Sequence, residues 1–180
     1  LALHENPREN YLKAAESLGL ALGLYKSCGL ECDIAETCGA LGDVYARLAG
    51  DGGETDYYTH AIGSYEEALR TYTADDFPGE YADIMMRLGD THVSLAEMQG
   101  GPNDYEEAFK AYGKSLGVYT RVGAAAESET LNVRIGRVYK ALGDREAVSN
   151  NPDKAIEYYD EALLYYPEDT ARREHAASGG

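Results

Sequence analysis

Along this chain small and large apolar residues return at fixed intervals. Ala61, Tyr65, Ala68, Leu69 and Tyr72 recur 47 residues later as Ala108, Tyr112, Ser115, Leu116 and Tyr119, and after 47 more as Ala155, Tyr159, Ala162, Leu163 and Tyr166. Going back 47 gives Ala14, Leu18, Ala21, Leu22 and Tyr25. A second set lies between these: Leu41-Gly42 with Tyr45 and Leu48, Leu88-Gly89 with His92 and Leu95, and Ile135-Gly136 with Tyr139 and Leu142, again at an offset of 47. Spacings of three, four and seven residues put each set on one face of a helix. Each repeat is therefore expected to be two amphipathic helices. The breaker-rich segments at 50–56, 99–104 and 143–153 divide first helix from second, and those at 75–80 and 123–128 divide one repeat from the next.

The residue types fit such packing. Glycine inside a helix costs about 0.5–1 kcal/mol relative to alanine. Close approach of a partner helix is the expected compensation at Gly42, Gly89 and Gly136, with Ala61, Ala68, Ala108, Ala155 and Ala162 supplying the matching small surface. Tyrosine brings a large apolar body with a polar tip, which suits a thin helical array where every residue lies near water. A periodic tyrosine stripe is read as packing in preference to an aromatic ligand box.

A Leu-Gly followed three residues on by Tyr in the first helix, and an Ala, aromatic, Ala-Leu pattern in the second, resembles the tetratricopeptide repeat. The resemblance covers the chain in three complete copies. The usual unit is about 34 residues, so each copy here is longer, as in the repeats of kinesin light chains. The resemblance implies an all-α fold: a right-handed superhelical solenoid of antiparallel helix pairs. Residues 1–29 then form the end of a preceding repeat with its helix at 7–28, opened by Asn6-Pro7 and Glu9. Repeats follow at 30–74, 75–122 and 123–168, and 169–180 are a tail or the start of a further unit. The chain reads as a piece of a longer array, or as one whose ends are covered by another copy.

The charge narrows the partner class. With 32 acidic and 16 basic residues the formal net charge is −16, which disfavours a surface that tracks phosphates, so nucleic acid is not expected. No apolar run is long enough to span a membrane, and the start "LALHENPREN" lacks the features of a signal peptide. Cys28, Cys32 and Cys38 lack Cys-x-x-Cys spacing, so neither a disulfide framework nor a zinc site is indicated and all three read as buried small hydrophobes in a cytoplasmic protein. His60 and His92 occupy helical positions and read as packing residues. Asp51, Glu54 and Asp56 do not follow the alternating ligand pattern of a calcium loop. The chain carries no phosphate-binding Gly-x-x-x-x-Gly-Lys, no Gly-x-Ser-x-Gly and no His-Glu-x-x-His. No enzyme activity and no cofactor are expected.

The resemblance implies that a partner lies in the groove lined by the first helices. Carried over by register, that groove contains Glu36, Asp43 and Arg47; Asp83, Met86, Arg87 and Asp90; and Thr130, Val133, Arg134, Arg137 and Lys140. Acidic residues dominate the first set and basic ones the third, which would orient a peptide of mixed charge. The family's clamp for a C-terminal carboxylate uses Lys and Asn where this chain has Gly39 and Asp43, which argues against a chaperone-tail receptor. The plainer reading is a solvated face with intrahelical pairs, Asp43 with Arg47 and Asp83 with Arg87. The expected function is protein–protein interaction through a peptide or helix of a partner. The alternatives are a self-assembling array that associates through its end helices, and a regulatory module of a larger signalling protein.

Overall fold

The computed structural model describes residues 7–52, 54–99 and 101–166. All regular structure among them is α-helical: α1 (Pro7–Cys28), α2 (Glu31–Gly52), α3 (Thr55–Ala68), α4 (Pro78–Gln99), α5 (Pro102–Val122), α6 (Ala125–Val148) and α7 (Pro152–Tyr165). Proline opens four of these helices, at the position where its missing N–H is unsatisfied in any case. The expected turns are narrower than the breaker-rich segments suggest, since α2 runs on through Gly50 and α6 through Gly143. Residues 1–6 of the preceding repeat, Asn6 among them, and the 169–180 tail lie outside the described residues.

The chain divides into two compact units, Leu1–Val122 and Gly123–Gly180. In the first, α2 packs with α3 and α4 with α5 as antiparallel pairs, α3 joins one pair to the next, and α1 lies on α2. Ala61, Tyr65, Ile84, Met85, Leu88 and Ala111 form a core cluster, and Ala35, Cys38 and Ala68 form a second one bordered by Leu22 of α1. The second unit is the pair α6 and α7, with Leu131, Ile135, Val138, Ala155 and Ala162 buried. Helix α1 has no buried residue, and its Leu20 and Leu24 are about two-thirds exposed (70% and 68%).

The small-residue logic holds at Ala61, Ala68, Ala108, Ala155 and Ala162, all buried. Of the leucines, Leu41 and Leu88 are buried, Leu69 and Leu116 are half-buried, and Leu163 is exposed. Of the cysteines only Cys38 is buried; Cys28 and Cys32 are exposed, because they flank the α1–α2 turn. Gly29 makes that turn with a positive φ of 69°, and the amides of Gly29 and Leu30 bond back to Lys26 and Tyr25.

The pairing of the two helices differs between the units. In the first, a Cβ on Gly42 would press into the Tyr65 ring, and one on Gly89 would lie 2.5 Å from Tyr112 Cε1. The 47-residue repeat expects Gly136 to receive Tyr159. Instead Tyr159 packs on Gly143, where a Cβ would lie 2.6 Å from its ring, while Gly136 faces Ala162, Tyr165 and Tyr166. From Gly89 to Gly143 is 54 residues, seven more than the repeat, so α7 sits two turns further along α6 than α3 on α2. The turn explains the slip. In an antiparallel pair the facing residues are those equidistant from the connection, and α6 ends at Val148, two residues before Asn150, whose φ of 59° is the left-handed conformation asparagine tolerates. Its amide and that of Asn151 bond back to Ala147 and Glu146. Residues 143 and 159 lie symmetrically about that turn.

Candidate peptide groove

Each first helix presents an acid just after its ring-accepting glycine. Tyr65 donates its hydroxyl to Asp43 Oδ1 at 2.7 Å, Tyr112 to Asp90 Oδ1 at 2.6 Å, and Tyr159 to Asp144 Oδ1 at 2.8 Å. The shared element is the tripeptide Leu-Gly-Asp at 41–43, 88–90 and 142–144. Glycine admits the ring, and aspartate one residue on receives the hydroxyl. Sequence reasoning missed Asp144 because it placed Gly143-Asp144 in a turn and took Arg137 as the equivalent of Asp43 and Asp90. The repeated tripeptide was the available signal.

In the first unit these acids open onto a groove between α2 and α4, which run in the same direction. Burial first, then the hydrogen bond to Asp43, pushes the Tyr65 hydroxyl far above the ordinary tyrosine value. Asp43 also accepts from Arg87 Nη1 at 2.8 Å. That ion pair crosses from one helix to the next, in place of the intrahelical pairs Asp43–Arg47 and Asp83–Arg87 expected from spacing. It divides the groove into two clefts that share Asp43 and Arg87. The larger, about 550 Å³, is lined by Arg47, Tyr58, Tyr65, Asp90, Thr91 and Ser94 among others. The smaller, about 270 Å³, is lined by Glu36, Gly39, Tyr72, Glu80, Asp83 and Ile84 among others.

Six of the seven sequence-expected positions of this unit line these clefts: Glu36, Asp43, Arg47, Asp83, Arg87 and Asp90. Met86 is half-buried and lines neither. Glu80 and the tyrosines Tyr58, Tyr65 and Tyr72 are lining residues that the register did not indicate. Asp83 receives the hydroxyl of Tyr119 from α5. Burial, reinforced by Glu36 and Glu80, raises the Tyr72 hydroxyl above its usual value. Arg47 is exposed and its guanidinium stands 5.9 Å from the centre of the Tyr11 ring of α1, within cation–π range.

In the second unit Thr130 is exposed and bonds its own helix at Ala126, Val133 and Arg134 are half-buried, and Arg137 is exposed. Lys140 donates to Asp144 at 2.9 Å. Burial alone would raise the Asp144 carboxyl, but the bonds from Lys140 and Tyr159 outweigh it and hold the group below its usual value. Stability from this contact is present above the ordinary aspartate value of about 3.9 and lost as pH falls through the lower folded value. Asp144→Asn should therefore lower the urea midpoint at pH 7, with the gap to the parent closing below about pH 4. A gap unchanged at pH 2.5 would assign the contact no ionic part.

Of the two histidines expected to pack, His92 is half-buried and its Nδ1 is 3.0 Å from Asp104 Oδ1 across the α4–α5 turn, whereas His60 is exposed and only lies beside the Tyr45 ring at 5.4 Å, because its helix turns that face to solvent. Among the described residues no group of acids, histidines and cysteines is placed to hold a metal ion, and no helix is long and apolar enough to cross a membrane.

No protein-family model matches the chain, and no curated protein matches it. Among solved structures it is similar to BtubC (BKLC) from P. vanneervenii, at 22% identity and a TM-score of 0.60, over 96% of this chain and 59% of that one. The chain thus spans somewhat over half the length of that protein. MamA matches at 20% identity and a TM-score of 0.36 over 92% of this chain and 87% of its own, and the de novo designed helical repeat protein DHR64 at 18% and 0.43 over 88% and 80%. The first likeness shows the fold, and with the helices above it makes this an all-α helical-repeat protein, as the periodicity implied.

Proposed function

We propose that this chain is a protein-binding scaffold of the tetratricopeptide type, which holds a peptide or helix of a partner protein in the groove between α2 and α4. The observation that carries the reading is the pair of clefts joined at Arg87–Asp43 and lined by six positions that the repeat register had selected. An open groove with charged groups along both walls suits an extended segment better than a small metabolite, whose pockets are mostly apolar and enclose the ligand. The repeat-length glycine and tyrosine pattern supports the family, and the activity is binding alone, without catalysis.

A second reading rests on α1. Leu20 and Leu24, one turn apart and largely exposed, give self-association through an end helix a physical basis. A screen of the purified chain against a randomised nine-residue peptide library, with sedimentation velocity on the same sample, separates the two. The scaffold reading expects retained peptides and a mass that stays constant with concentration. No retained peptide, with mass rising on concentration, would remove it in favour of the array.

A further inference from the structure

The two clefts differ in the charge they leave uncommitted. In the smaller one, Asp43 is paired with Arg87, whereas Glu36 and Glu80 have no ion-pair partner among the described residues and Asp83 has only the neutral hydroxyl of Tyr119. Three carboxylates therefore face a space that holds a single, already paired cation. In the larger one, Asp43 and Asp90 are engaged by tyrosine hydroxyls and Asp43 also by Arg87, while Arg47 meets only the face of Tyr11. Asp90 accepts a neutral hydroxyl, which leaves its charge in place, so the two carboxylates of this cleft stand against the guanidiniums of Arg47 and Arg87, and Arg47 is the cation outside an ion pair. The groove is strongly negative at the end near the α2 N-terminus and balanced in charge at the other, where Arg47 offers its guanidinium to an acidic side chain, with the Arg87–Asp43 pair between.

Resting on the proposed groove, we infer that the partner segment carries a fixed charge register. A Lys or Arg side chain enters the smaller cleft, and an Asp or Glu side chain further along meets Arg47 in the larger. The spacing follows from helix geometry. Glu36 and Arg47 are 11 residues apart on α2, a rise of about 16 Å at roughly 1.5 Å per residue. An extended peptide covers that distance in about five residues at roughly 3.3 Å each. Like charges at either position would be repelled, so the arrangement also rejects a segment with its two charges exchanged.

The test uses the same randomised nine-residue library on the full chain, followed by sequencing of the retained pool. The expected pool is enriched in a basic and an acidic residue about five positions apart. Glu36→Lys with Glu80→Lys should abolish the basic preference and weaken a selected peptide by roughly tenfold or more, and Arg47→Glu should turn the acidic preference basic. Circular dichroism checks that each variant keeps its helicity, and Glu80→Lys alone, at an exposed site, serves if the double variant does not fold. Peptides retained without this pairing, or with an unchanged pattern in the variants, would overturn the register while leaving the groove reading standing. No peptide retained by the parent chain would overturn both.

Discussion

Gly143→Ala is expected to lower stability by about 1–3 kcal/mol, as are Gly42→Ala and Gly89→Ala. At each position the new methyl enters space held by a tyrosine ring from the paired helix, and at Gly143 the distance to Tyr159 Cε1 would be 2.6 Å. The tyrosine must then leave the site or the helices must part. Glycines on an open helix face behave oppositely. Gly113 and Gly117 are exposed within α5 and a Cβ on either meets nothing within 4 Å, so alanine there should stabilise by about 0.5–1 kcal/mol through backbone entropy and helix propensity. Urea unfolding of the five variants gives both signs in one experiment. A neutral Gly143→Ala beside a costly Gly89→Ala would refute the packing of Tyr159 on Gly143 and with it the slip of α7 on α6.

That slip marks where the sequence stops being legible. The helix count, the antiparallel pairs and the small-residue faces all follow from spacings of three, four and seven, because burial of an apolar stripe imposes the helical period directly on the sequence. Pairing register does not. It depends on where the connection lies, and the segment 143–153 contains a glycine, two asparagines and a proline, any of which can end a helix. Asn150 and Asn151 do so, while Gly143 remains helical and serves packing. A residue type that is both the commonest helix terminator and the means of close helix approach cannot be assigned to one role by type alone. Leu142-Gly143-Asp144 could have been, since it repeats Leu41-Gly42-Asp43 and Leu88-Gly89-Asp90 in full.

The cleft-lining positions were legible for a related reason. The resemblance put a partner on the first helices, and positions there that do not point into the core are fixed once the core face is known, so Glu36, Asp43, Arg47, Asp83, Arg87 and Asp90 could be named. How their charges pair could not. Spacing along one helix suggested Asp43 with Arg47, yet Asp43 is drawn to Arg87 of the next helix because α2 and α4 lie side by side there. Glu80 was missed since it lies at the start of α4, where the repeat pattern has no marked position, and Tyr72 was missed because its place in the repeat marked it as a packing residue.

Tyr65 joins packing and site, and its truncation should have the largest effect on stability of any single change. The side chain is only 2% exposed, fills the space above Gly42, and touches the core cluster of Ala61, Ile84, Met85 and Leu88. Tyr65→Ala should cost about 3–5 kcal/mol as a large-to-small change in a core. Tyr65→Phe keeps the ring and deletes the bond to Asp43; since Asp43 retains Arg87, the cost should be about 1–2 kcal/mol. The two variants differ again at high pH. A hydroxyl raised above its ordinary value stabilises the fold below about pH 10, and that contribution is lost as pH rises beyond it, because the unfolded chain ionises and the folded one does not. The parent should therefore lose stability above about pH 10 more steeply than Tyr65→Phe. Urea midpoints at pH 7 and pH 10.5 decide the matter: equal slopes would mean that Tyr65 ionises freely and is less enclosed than its position over Gly42 requires. Peptide binding supplies the last distinction. Tyr65→Phe leaves Arg47, Arg87 and the three carboxylates of the smaller cleft in place, so it should bind a selected peptide as the parent does, and a large loss would give the Tyr65 hydroxyl a direct part in recognition.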